Sequence, residues 1–206
     1  VSITASPSEA VYGYAASSAP VLTAETVKGE GASGDVSYQW YKVNNGAETA
    51  IDGAAGVSYT VETGLDAGTY TYRVKAELED SSQSADTEVT VTQAPLTVTA
   101  RPQTIVYGGA IENTADQATA EGLVSGHRLS GVTLTTSDKN VTANVTITPG
   151  TAAVADASGK NVTANYAITY KDGKLTITRR PVTVTADDKS KTYGETDPLL
   201  TYAVGP

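Results

Sequence analysis

One histidine stands in the whole chain, His127, beside Arg128 in the stretch GLVSGHRLSG. Nucleophilic catalysis needs a base to activate the nucleophile and a third group to orient that base. The sequence around His127 supplies neither, and the absence of cysteine removes thiol nucleophiles, thiolate metal sites and disulfides together. Carboxylates come in adjacent pairs, Glu79-Asp80 and Asp187-Asp188. Neighbours on a strand point to opposite faces, and in a turn both are solvated, so neither pair makes the facing constellation of glycosidase chemistry. The sequence therefore assigns no catalytic, cofactor-binding or metal-binding residue, and predicts that the chain is not an enzyme.

Calcium calls for clustered oxygen ligands. No EF-hand spacing occurs, and Lys189 and Lys191 follow Asp187 and Asp188 closely enough to raise the local potential, so no metal is expected. A Lys–Asn crosslink would need a neighbouring carboxylate, and no sequence marker identifies such a site. The 12 tyrosines could build a sugar-stacking platform. Tyr70, Tyr72, Tyr107, Tyr166 and Tyr193 fall on alternating or signature positions and are expected in cores or corners. Tyr12, Tyr14, Tyr38 and Tyr41 remain as candidates for glycan contact.

The elements that would position these residues are strands. About one residue in six is Thr, which with abundant Val favours strands over helices. There is no Phe or Met, so cores must be built from Val, Ile, Leu, Ala, Tyr and the single Trp. At 206 residues the chain holds two small domains and a remnant. The formal net charge of -9, with no basic patch, argues against nucleic acid and anionic membrane surfaces as partners. No apolar run approaches the ~20 residues that span a bilayer.

One phrase organises the chain. VSITASPSEAVYG (Val1–Gly13), LTVTARPQTIVYG (Leu96–Gly108) and VTVTADDKSKTYG (Val182–Gly194) each place Tyr-Gly seven residues after a Thr-Ala pair. Leu96, Val98 and Ala100 fall on one face and Thr97 and Thr99 on the other, the pattern of a half-buried strand, and Val182, Val184 and Ala186 repeat it. The Tyr-Gly pair is expected at the end of a following turn and short strand, where Gly takes a conformation closed to other residues. These are read as three module starts, at 1–93, 94–180 and 181–206, with the third an incomplete module from a longer array. Pro95 and Pro181 sit in linkers without Gly or Ser, which predicts short, stiff joints.

The first module places Trp40 on an alternating strand, VSYQWYK, followed by LDAGTYTYRV. This resembles an immunoglobulin-like sandwich, with a core Trp and a tyrosine corner at Tyr70, and with Tyr72 where the antibody version has cysteine. Asn44-Asn45-Gly46 and the polar stretch from Glu79 to Asp86 read as separators between strands. In the second module, Asp172-Gly173 predicts a two-residue hairpin joining Tyr166–Tyr170 to Lys174–Thr178. KNVTANVTIT at Lys139 and KNVTANYAIT at Lys160 read as similar strand starts in one sheet, and a short helical turn is expected near Leu123 to Leu129.

From Pro95 onward, PLTVTA…YG, GLVSGHRLSG, VTANYAITYKDGKLTITRRPVTVTADDKSKTYG and DPLLTY resemble the tandem YGX-type MBG repeats of large bacterial surface proteins. The second copy departs by having GGAIENTAD where the others have a Pro-x-Leu-Thr. The resemblance implies an all-β chain: an immunoglobulin-like sandwich, then a β-grasp-related MBG module, then a truncated third. It implies an extracellular place, wall-attached or secreted, and a surface position for His127. In bacteria, the Asn-x-Thr triplets at Asn140, Asn144 and Asn161 are usually empty glycosylation signals. The function implied is a non-catalytic structural or adhesive segment, with a glycan-binding first module or a spacer in a secreted enzyme as alternatives. Expected partners are a host or matrix protein or glycan of unspecified identity, and neighbouring repeats of the same chain, without cofactors.

Overall fold

The computed structural model describes residues 1–137 and 140–205, and within them the chain is all-β. In chain order the strands are β1 (Ser2–Ser6), β2 (Glu9–Val11), β3 (Val21–Glu25), β4 (Ser37–Asn44), β5 (Ala47–Ala50), β6 (Ser58–Thr60), β7 (Gly68–Leu78) and β8 (Ser81–Thr92). They continue with β9 (Ala94–Ala100), β10 (Gln103–Val106), β11 (Ala118–Glu121), β12 (Arg128–Thr135), β13 (Val145–Ala155), β14 (Tyr166–Lys171), β15 (Gly173–Thr178), β16 (Thr183–Ala186) and β17 (Tyr202–Gly205). Two compact units divide the residues: Val1–Thr97 with Ala120–Ser130 and Ala153–Thr169, and Val98–Thr119 with Gly131–Ala152 and Tyr170–Pro206.

In the first unit, a three-stranded sheet β1-β3-β6 and a five-stranded sheet β2-β8-β7-β4-β5 enclose one core. Leu22 comes from β3, Trp40 from β4, Tyr72 and Val74 from β7 and Val89 from β8, all without solvent exposure. This is the sandwich that the alternation of YQWYK and TYTYRV demands. Burying the Trp40 indole requires a partner for its N–H, and Nε1 donates to the Gly56 carbonyl at 2.9 Å. The tyrosine corner forms, with the Tyr70 hydroxyl donating to the Asp66 carbonyl at 2.8 Å. Tyr72 fills the cysteine position, and Tyr59 bridges it to Trp40 with ring centroids 5.8 and 6.1 Å away. Asn45 and Gly46 take φ of 49° and 81° and close β4 onto β5, as a primed two-residue turn requires.

The polar stretch is different from its reading as a separator. Only Glu79 and Asp80 turn, with Glu79 at φ 53°, and Ser81–Asp86 belong to β8, paired with β7 in unbroken register from Leu78↔Ser81 onward. Ladder hydrogen bonds do not depend on apolar side chains, so a solvated extension of a hairpin can be wholly polar.

In the second unit, β10, β15, β13 and β12 form a sheet in that order, with β10 parallel to β15 and β13 antiparallel to it. β9, β11 and β14, whose residues are divided between the units, form a sheet in the order β11-β9-β14. Leu96, Val98 and Ala100 are buried and Thr97 and Thr99 half-buried, so β9 has the two faces that its alternation predicts.

Three expectations for the second module are corrected. Asp172-Gly173 is not a hairpin turn, because β14 and β15 lie in different sheets. Gly173 is instead a corner residue: a Cβ there would sit 2.5 Å from the Ala100 carbonyl oxygen. The two KNVTAN phrases lead into β13 and β14, again in different sheets, and Lys139 lies outside the described residues. Leu123 to Leu129 hold no helical turn. Gly122 and Gly126 take φ of 104° and 82°, the His127 amide closes a tight turn onto the Val124 carbonyl, and β12 begins at Arg128.

The third copy of the phrase pairs β16 with β17 as a two-stranded ribbon, Val184 opposite Val204. Its alternation is present but, among the described residues, no sheet covers it, and Val184 is 63% exposed.

Candidate functional site

Glu62 is a half-buried carboxylate of the first unit with several partners. It ion-pairs with Lys42 and accepts hydrogen bonds from the Tyr59 hydroxyl at 2.7 Å and the Tyr72 hydroxyl at 3.3 Å. Its own carbonyl accepts from the Tyr14 hydroxyl. Burial pushes the Glu62 carboxyl up, but the Lys42 ammonium and the Tyr59 hydroxyl outweigh it and hold the group below its ordinary value. The same burial, reinforced by the Glu62 charge, pushes the Tyr59 and Tyr72 hydroxyls well above theirs. A carboxylate held ionised by fixed donors ties strand ends together and has no proton to give near neutrality.

On the solvent face of the five-stranded sheet, Arg73 reaches Asp86 on β8 with Nε and Nη2 at 2.5 and 2.6 Å, and Glu48 on β5 with Nη1 at 2.5 Å. Lys75 ion-pairs with Glu48 and lies 4.6 Å from the Tyr41 ring centroid. The Arg73 guanidinium holds Asp86 below the usual carboxylate range. Such an exposed ladder adds little stability and satisfies its own charges.

The glycan candidates do not assemble. Tyr12 packs on Tyr166, Tyr14 reaches Glu62, Tyr38 bonds the Thr26 hydroxyl at 3.0 Å, and Tyr41 lies under Lys75. Tyr38 and Tyr41 are three residues apart on β4 and so face opposite sides. His127 is half-buried, not a bare surface side chain: its Nδ1 is 2.7 Å from the Tyr166 hydroxyl, which also accepts the Val124 amide at 3.0 Å. Beside Tyr107 and Gly108 in the second unit is an open cleft of about 540 Å³, walled by Ile105, Ile111, Leu134 and Ile177 and, among the described residues, lined by no carboxylate, histidine, lysine or arginine. Among the described residues, no group of three or more His, Asp or Glu side chains could hold a metal.

Sequence reasoning missed Asn165, a buried polar residue of the first unit. Its Oδ1 accepts the Ala67 amide at 2.8 Å and its Nδ2 donates to Asp66 Oδ1 at 2.7 Å, so it grips the loop that carries the tyrosine corner. Gln93 Nε2 donates to the neighbouring Ala164 carbonyl at 2.8 Å. No signal in the phrase KNVTAN marks which asparagine is buried.

The Tyr-Gly turns are built alike. β2 runs parallel to β8 with Val11 opposite Thr92, and β10 runs parallel to β15 with Val106 opposite Thr178. The Tyr12 and Tyr107 amides then donate to the Thr92 and Thr178 carbonyls, both at 2.8 Å. Gly13 and Gly108 turn the chain with φ of 82° and 85°, and Gly194 has φ 90°. Residues 96–176 and 182–206, together just over half of the chain, match the MBG domain (YGX type). The chain belongs to that family. MBG domains are a non-catalytic repeat type typical of cell-surface proteins, and the two matches here place consecutive MBG sequences in one chain. No curated protein matches the chain in sequence. Among the described residues, no helix is long and apolar enough to cross a membrane.

Proposed function

We propose that the chain is a stiff, non-catalytic stretch of stalk in a large bacterial cell-surface protein. Its modules in this reading are an immunoglobulin-like domain at 1–93, an MBG repeat at 94–180 and the first strands of another at 181–206. The observation that carries the proposal is the joint at Gln93. β8 ends at Thr92 and β9 begins at Ala94, leaving one residue between them, and that residue is itself hydrogen-bonded to Ala164. Asn165 adds the grip on Asp66 and Ala67. A joint of a single residue whose side chain is tied down transmits orientation and load from one module to the next. The partnered state of Tyr12, Tyr14, Tyr38 and Tyr41 leaves the glycan alternative with less support.

¹⁵N relaxation tests this reading. β7 and residues 153–169 should tumble with one correlation time, and a six-residue Gly-Ser insertion after Gln93 should separate them. Independent tumbling in the unmodified chain would refute the stalk.

A further inference from the structure

The first Tyr-Gly turn is seated. The Tyr12 ring meets Tyr166 edge-on with centroids 5.7 Å apart and lies 6.0 Å from the His127 ring. Gly13 lies so close to Val124 that a Cβ would stand 2.4 Å from Val124 Cγ2. The receiving surface is thus the Val124–His127 turn, fixed by the Tyr166 hydroxyl, which binds both the Val124 amide and the His127 ring. These residues come from the MBG sequence that follows the turn in the chain.

The second turn has the same construction and is not seated. Strand pairing, the amide bond of the tyrosine and the glycine φ all match those of the first. The spacing onward matches too: Thr92 and Thr178 each precede a proline by three residues, Pro95 and Pro181, and the next module phrase starts immediately after. Yet Tyr107 is 49% exposed, and the nearest heavy atom to a Cβ built on Gly108 is Arg180 Nη1 at 3.8 Å. The apolar cleft opens beside it.

We propose that the Tyr107–Gly108 turn is a docking knob whose partner is a second Val124–His127 turn with its Tyr166 hydroxyl, supplied by the MBG repeat that follows. This rests on the stalk reading and adds the contact by which successive repeats lock. The glycine is needed twice over, for its positive φ and to let a Val124-type side chain close on the backbone. The tyrosine supplies a flat ring for edge-on packing with little side-chain entropy to lose.

The test uses the full chain with residues 96–181 inserted a second time between Pro181 and Val182, the inserted Tyr107 being replaced by Phe so that only the original knob is read. Hydroxyl-radical footprinting then compares Tyr107 in the parent and extended chains. The rate at Tyr107 should fall severalfold, to that of Tyr12, and Val124→Asp in the inserted copy should restore it. Tyr107→Ala should lower the melting temperature of the extended chain and leave that of the parent unchanged. A Tyr107 rate equal in the two chains, from whatever cause, overturns the knob. Relaxation on the same samples keeps the two readings apart: an open Tyr107 with a rigid Gln93 joint defeats the knob alone, whereas a free Gln93 joint defeats the stalk.

Discussion

Replacing Asn165 by Ala removes two hydrogen bonds whose losses are unequal. Asp66 is exposed, and its Oδ1 exchanges the Asn165 amide for water at little cost. Ala67 is half-buried, and its N–H at 2.8 Å from Oδ1 loses its partner where water enters poorly. An unmade hydrogen bond of that kind costs about 1–3 kcal/mol, and we expect about 2. For a chain of this size that corresponds to a fall of about 4–8 °C in melting temperature. Trp40, the only tryptophan and wholly buried in the same unit, reports the transition by fluorescence in urea. Asn165→Asp sharpens the test, because it keeps the acceptor for Ala67 but sets a second carboxylate against Asp66. At pH 7 it should be less stable than the Ala variant, and it should recover as the pH falls to about 4, where carboxylates protonate and the new acid can donate. A midpoint for Asn165→Ala within 0.5 kcal/mol of wild type would refute the grip.

Trp40→Ala should cost about 3–5 kcal/mol through the cavity it leaves, and a variant melting like the wild type would sink the sandwich assignment. Gly173→Ala should cost about 1–3 kcal/mol by overpacking against the Ala100 backbone; equal urea midpoints would show that this corner has slack. Tyr59 and Tyr72 keep their protons in the native state after the unfolded chain begins to release its own near 10.0. Their contribution is therefore complete below that pH and is lost as pH rises beyond it. Urea midpoints should fall steeply from pH 10 to 11 in the wild type and less so in Tyr72→Phe, and parallel slopes would contradict the Glu62 network.

The all-β class and the sandwich were legible because they rest on local signals. The period of two in VSYQWYK and TYTYRV, the Asn45-Gly46 turn and the Asp66-to-Tyr70 spacing each decide a structure within a few residues. The Tyr-Gly glycine was legible for the same reason, since positive φ is a property of one residue. What failed was partner choice. Asp172-Gly173 has the composition of a hairpin turn, but the turn forms only if both flanking strands join one sheet, and β14 and β15 answer to different neighbours. Asn144 and Asn165 occupy the same place in two copies of one phrase. The first turns an exposed loop with φ 65°, while the second is buried against Asp66 and Ala67, about a hundred residues away in sequence.

The thrice-used opening phrase carries this distinction furthest. In every copy it specifies a strand with an apolar and a polar face, and in every copy a strand forms. Ile3 is half-buried on β1, at the edge of its sheet; Val98 is fully buried on β9, with β11 on one side and β14 on the other; Val184 on β16 is paired on one side only and 63% exposed. Identical local instructions thus yield three degrees of burial: β1 and β16 each pair on one side only, but Ile3 packs against the core of the first unit whereas β16 belongs to a two-stranded ribbon. Taking a valine from exposed to fully buried stabilises by about 1.5–3 kcal/mol, which is of the order needed to turn a marginal two-stranded ribbon into part of a stable sheet. In this chain the phrase sets the direction of the face, and the strands around it supply what covers it.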